Sequence, residues 1–209
     1  MLAAAAAQAD RLVVGVDANA AAMATASRRA AAKPSRGGLP NALFVVAAAE
    51  ALPHELDGVA DLVTVHFPWG SLLRGLLAVD PAIMAGLTRV LRPGGTLRLL
   101  VSATVRDRGV GVAPLQAATL EALAGSYAGW GLAVSEVRPA TPAEVGGAHS
   151  SWGKRLGAGT RRPAWLLRAR STSSAVDRDR PGLQRYGRGR AAASTQGGNG
   201  GGPSAGSPA

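Results

Sequence analysis

The stretch VHFPWGSLLRG (65–75) decides how this chain is to be read. The apolar run Leu62–Phe67 has the composition of a buried strand, Pro68, Trp69 and Gly70 end it, and a helix starts at once. Working outward, the same alternation repeats. Further strands are expected at Leu12–Val16, Ala42–Ala47, Thr96–Val101, Leu132–Arg138 and Ala164–Arg170, with helices near Ala18–Ala32, Pro81–Leu91, Leu115–Trp130 and Pro142–Gly147. LRPGG (91–95) reads as a helix stop and a turn into the next strand. Such alternation specifies an α/β fold, a mainly parallel sheet with helices on both faces. Ligands of such sheets bind beyond the carboxyl ends of the strands, which directs attention to Asp17, the loop 48–52 and residues 68–71.

The totals narrow the chemistry. The chain has 209 residues, 47% of them hydrophobic, enough for one domain with a proper core. It has no cysteine, which excludes thiolate nucleophiles, disulfides, iron–sulfur clusters and cysteine zinc sites. Its three histidines, His54, His66 and His149, lack metal-ligand spacing, so no metal is expected. The opening MLAAAAAQADRL is too short to span a membrane and lacks the basic start of a signal peptide, so a cytoplasmic protein without membrane association is expected. Net charge is +10, carried mainly by arginine. Residues 146–172 concentrate it: Lys154, Arg155, Arg161, Arg162, Arg168 and Arg170 occur there without one acid. A local block of this kind suits a partner rich in phosphate.

Each residue at the strand ends has two uses. Asp17 ends LVVGVD before a helix, where it or Asn19 can cap, and an acid at that place also suits the hydroxyls of a ribose. Glu50 in AAAEALP is either a solvated charge or an acceptor for an adenine or ribose edge. Trp69 is ordinary packing or a stacking surface, conspicuous in a chain only 4% aromatic. Together, at the ends of three successive strands, they favour a nucleoside cofactor. A second tryptophan lies in HSSWGKRLGAGTRR (149–162), where Trp152 is flanked by Ser150, Ser151, Lys154 and Arg155. Arginines for phosphates and an aromatic face for a base are what a nucleic-acid contact needs. The alternative is an amphipathic helix start with Trp152 buried and its cations solvated.

The pieces VVGVDANAAAM, SRRAA, RGGLPNALFVVAAAEALP, VTVHFPWGSLLRG, LRPGGTLRLLVS and SSWGKRL, in this order over residues 12 to about 170, resemble the 16S rRNA adenine-N1 methyltransferases that confer aminoglycoside (kanamycin and apramycin) resistance. FPWGSLLRG together with SSWGKRL is distinctive among methyltransferases, whereas LRPGG is common to many. The resemblance implies a Rossmann-like fold that binds S-adenosylmethionine, with the last strand antiparallel. It implies methyl transfer to N1 of adenine 1408 in the decoding site of 16S rRNA, within the 30S ribosomal subunit. Asp17 would hold the cofactor ribose, Ala49 and Glu50 its adenine, and Ser71 and Ser150 would line the pocket. Trp69 and Trp152 would stack on either side of the flipped target base. Lys154, Arg155, Arg161 and Arg162 would grip rRNA phosphates.

The chain departs from the pattern at its beginning. Methyltransferases of this fold begin with a strand and a D-x-G-x-G turn around the methionine end of the cofactor, and neither is found here. MLAAAAAQADRL resembles the helix that follows that turn. The expected domain, residues 1–172, therefore lacks the first strand of the fold, leaving two central strand edges unpaired and buried. Residues 173–209, rich in Gly, Ser and Arg, are expected to be a disordered tail. Two other functions stay open on the sequence: a noncatalytic RNA-binding remnant of the family, and a methyltransferase for a small molecule.

Overall fold

The computed structural model describes residues 1–172; the expected tail lies outside the described residues. In chain order the elements are α1 (Leu2–Ala7), β1 (Val13–Asp17), α2 (Ala20–Ala30), β2 (Ala42–Val46), β3 (Ala60–His66), α3 (Gly70–Ala78), α4 (Pro81–Val90), β4 (Leu91–Val101), α5 (Ala117–Glu121), α6 (Leu123–Ala128), β5 (Leu132–Pro139), α7 (Pro142–Gly147), α8 (Ser151–Leu156) and β6 (Trp165–Ser171). The α/β reading stands. β1 pairs with β2 and β3 with β4 in parallel, while β6 lies between β4 and β5 and runs against both.

Two details differ from the sequence reading. LRPGG stops α4 at Val90 as expected, but its turn lies within β4 as a bulge: Leu91 already pairs with Ala60, Gly94 takes a φ of +71°, and the register jumps before Leu62 meets Thr96. The expected helix Leu115–Trp130 is two short helices meeting at Ala122, a residue that keeps right-handed helical dihedrals.

Period-two burial places the core. Leu97, Leu99 and Val101 of β4 join Leu167 and Ala169 of β6 under α3, α4, α5 and α6, with Met84, Leu120 and Tyr127 fully enclosed. The alternate residues Leu100 and Leu166 face the other way. They form a smaller core with Phe67, Ala148, Ala158 and Ala164, against which Trp152 packs. Helices therefore cover both faces of the β3–β4–β6–β5 sheet.

The strands form two sheets, β1–β2 and β3–β4–β6–β5, and among the described residues β1 and β3 each bond to a single neighbour. The edges expected to be buried are exposed instead: Val16 of β1 is 41% and Leu62 of β3 is 51% accessible. The β1–β2 layer is tied down elsewhere. The Asn41 side-chain amide donates to the carbonyls of Ala5, Gln8 and Arg11, closing the end of α1. The turn Ala49–Ala51 packs closely on α4. Among the described residues no single helix is long and apolar enough to cross a membrane.

Candidate nucleoside and base-binding site

β1 delivers Asp17 to the carboxyl end of its sheet, exposed, with Oδ1 accepting the Asn19 backbone N–H at 2.8 Å. Capping falls to Asn19, whose Oδ1 accepts from Ala21 and Ala22 at 3.0 and 3.2 Å. That frees Asp17 from the duty the sequence left open and leaves its second carboxylate oxygen to solvent. β2 ends in the turn carrying Ala49 and an exposed Glu50. This turn reaches α4 only because residue 86 is glycine: a β-carbon there would sit 1.9 Å from the Ala49 carbonyl oxygen.

β3 leads to the second part of the site. Its last residue, His66, is held below the ordinary histidine range first by burial and then by the Arg98 guanidinium. Phe67 follows with φ of +50°, a left-handed conformation costly for a bulky side chain. This reversal turns the chain so that Trp69 stands half-buried at the entrance to α3. On the other jaw His149 is also left-handed, with φ of +46°. Ser150 then caps α8, its hydroxyl accepting the Gly153 N–H at 3.0 Å. Strain stored on both approaches to one point is a mark of a functional site.

The two tryptophans meet. Their ring centres lie 5.5 Å apart with planes at 61°, edge to face. The Trp152 segment is thus a short helix with its ring half-buried, yet its cations remain outside: Lys154, Arg155 and Arg161 are exposed. Arg155 also lies over the Trp152 ring, 5.5 Å from its centre, a cation–π distance. The Trp152 Nε1–H is buried without an acceptor.

The remaining sequence candidates part ways. Ser71 is exposed on the first turn of α3, while the Ser150 hydroxyl serves as the α8 cap. Arg162 differs from its expected place at the surface. Its side chain is 11% exposed and ion-paired with Asp107, which is 2% exposed, so Arg161 presents the solvent-facing charge of the pair. The same Asp107 closes a capping box with Thr104, and Ser102 Oγ donates to the Pro163 carbonyl at 2.7 Å. The loop after β4 is thereby fastened to the loop before β6. One group was missed in the sequence: Arg28, Arg29, Lys33 and Arg36 are all exposed, and residues 18–49 contain no acid. The absence of acids was the available signal.

The sequence profile described as "NpmA: 16S rRNA (adenine(1408)-N(1))-methyltransferase" matches residues 1–171. The chain belongs to this family. Among curated relatives, a 16S rRNA (adenine(1408)-N(1))-methyltransferase of Streptoalloteichus tenebrarius is 43% identical over 130 residues, 59% of this chain and 60% of that protein. One from Streptoalloteichus hindustanus is 51% identical over 84 residues, 40% of this chain and 38% of that protein. The chain thus spans less than two thirds of these relatives. Among solved structures, a tryptophan-to-alanine variant of the 16S rRNA (adenine(1408)-N(1))-methyltransferase from Catenulisporales acidiphilia, with cosubstrate SAM, superposes with a TM-score of 0.75 at 33% identity, covering 83% of this chain and 81% of that one. The aminoglycoside resistance methyltransferase NpmB1 gives 0.69 at 39% identity, covering 81% and 80%. Membership accounts for the α/β sheet with its antiparallel last strand.

Proposed function

We propose that this protein is an S-adenosylmethionine-dependent methyltransferase that acts on N1 of adenine 1408 of 16S rRNA in the cytoplasmic 30S subunit and so gives resistance to aminoglycosides. The observation that carries the reading is the convergence of Trp69 and Trp152, from distant parts of the chain, with Arg155 over the Trp152 ring and Lys154 and Arg161 exposed nearby in sequence.

The residues present fit the nucleoside half of the cofactor. Asp17 offers a free carboxylate oxygen to ribose hydroxyls, and the Ala49–Glu50 turn, held on α4 through Gly86, offers backbone and carboxylate to an adenine. Opposite the methionine half the described residues present no glycine-rich turn. When bound, the cofactor supplies an activated methyl on a sulfonium, which a base nitrogen with a free lone pair attacks without a strong general base.

The protein's task is to align the partners, catalysis by proximity and orientation. Extruding a base costs a few kcal/mol. Two stacking faces return about 1–3 kcal/mol each. In this reading the edge-to-face pair is the closed state of the clamp. Bases stack at about 3.4 Å, so a guest between parallel rings needs roughly 7 Å between them, against the 5.5 Å observed. Opening by rotation of the two indoles about their side-chain bonds, with the backbones of both jaws fixed, is cheap: it gives up an edge-to-face contact of about 0.5–1.5 kcal/mol. Lys154, Arg155, Arg161 and the Arg28–Arg36 group supply phosphate contacts, which position the subunit without reading its sequence.

The test is tritium transfer from S-adenosylmethionine to purified 30S subunits. Trp69→Ala and Trp152→Ala should each remove most of the transfer while leaving cofactor affinity within a few fold. Full transfer by Trp152→Ala would refute the clamp. The unpartnered edges of β1 and β3 favour one second reading, an RNA-binding remnant that keeps the clamp without catalysis. It predicts 30S binding with no cofactor binding.

A further inference from the structure

Beneath the two indoles lies a contact between their chain neighbours. Phe67 stands two residues before Trp69, and Gly153 directly follows Trp152. A β-carbon on Gly153 would lie 2.6 Å from Cδ2 and 2.9 Å from Cε2 of the Phe67 ring. Glycine thus lets α8 rest directly on the phenyl face.

Neither side has freedom to yield. Phe67 is 3% exposed, enclosed with Leu100, Ala148 and Leu166, and its backbone N–H donates to the Leu100 carbonyl at 2.7 Å. Its left-handed backbone leaves no easy route for the ring to swing away. Gly153 is held by the Ser150 cap and lies inside α8. The jaws are therefore joined through a rigid floor one phenyl ring thick.

We propose that the Phe67–Gly153 contact is the spacer that sets the separation of Trp69 and Trp152, and so the thickness of the flat guest they admit. Gly153 and Phe67 are positioning residues in this role, and the inference rests on the clamp reading above. A methyl group at residue 153 has to retreat to an ordinary carbon–carbon distance of about 3.5 Å or more, carrying α8 and Trp152 outward by roughly 1 Å. Displacements of that size cost about a hundredfold in aligned reactions.

The experiment uses the full chain and reads geometry before chemistry. Two indoles in contact give an exciton couplet in far-ultraviolet circular dichroism, and the part lost in Trp69→Phe belongs to this pair. Gly153→Ala should weaken that part. Phe67→Leu in the same chain shortens the floor and should bring it back, a coupling that independent sites do not show. Methyl transfer to 30S subunits should follow the couplet, with kcat reduced by about a hundredfold in Gly153→Ala. KM for S-adenosylmethionine should be unchanged, and kcat should recover in the double variant. A Gly153→Ala couplet equal to that of the parent would overturn the proposal, as would a double variant no better than Gly153→Ala alone. Failure of the parent chain to transfer methyl would count against the functional reading, while the couplet and its rescue still decide the spacer.

Discussion

Replacing Gly86 by alanine isolates the nucleoside half of the site. The new methyl would begin 1.9 Å from the Ala49 carbonyl oxygen, where carbon and oxygen ordinarily stay about 3.3 Å apart. The turn bearing Ala49 and Glu50 must therefore withdraw from α4 by roughly 1.4 Å, the difference of those distances. Leu52, also close to Gly86 and buried, limits how freely it can do so. Overpacking of this sort costs about 1–3 kcal/mol. In a domain of this size that lowers Tm by roughly 2–4 °C per kcal/mol. The functional effect should be larger than the loss of stability, because the adenine contacts move while Asp17 stays in place. Affinity for S-adenosylmethionine or adenosine should fall by at least about tenfold, equivalent to about 1.4 kcal/mol. Isothermal calorimetry well below Tm measures it. Gly125→Ala, in α6 with nothing within 4 Å of the added carbon, is the control and should leave binding unaltered. Parent-like affinity in Gly86→Ala would refute the placement of the adenine contacts on this turn.

Three more outcomes are expected. Arg162→Ala strands the buried Asp107 carboxylate and should cost about 3–5 kcal/mol in denaturant unfolding, whereas Arg161→Ala should keep stability and lower the salt slope of 30S binding by about one. Glu144 is held well below the usual carboxylate range, chiefly by the Arg138 guanidinium and next by the Thr141 N–H. Its ionised form is favoured by folding, so its contribution is complete above 4.5 and lost as pH falls below that; Glu144→Gln should flatten the acid side of a stability–pH curve.

What the sequence made legible is what local pattern controls. The runs Ala42–Val46 and Ala60–His66 are apolar enough to announce strands, and FPWGSLLRG announces its own turn into α3. The meeting of Trp69 and Trp152 was legible through family resemblance, since nothing local links them. Their closed, edge-to-face arrangement was not, because ring orientation depends on packing around Phe67. Arg162 was read as a phosphate contact since its immediate neighbours are cations; the acid that claims it, Asp107, lies 55 positions away. The glycines of LRPGG signalled a reversal that is present at Gly94, but only the pairing of Leu91 with Ala60 shows that it is a bulge inside β4 and not a turn ahead of the strand. Gly86 and Gly153 look like any other glycines until the opposing Ala49 carbonyl and Phe67 ring are seen.

The central claim is methyl transfer to one adenine through a tryptophan clamp. Its most direct test is to incubate the 209-residue protein with 30S subunits and S-adenosylmethionine, then map the 16S rRNA by reverse transcription and nucleoside mass spectrometry. The account predicts one new block to the transcriptase, at adenine 1408, with N1-methyladenosine in the digest and neither signal in Trp152→Ala. Subunits left unmethylated by a protein shown to bind both them and the cofactor would contradict it.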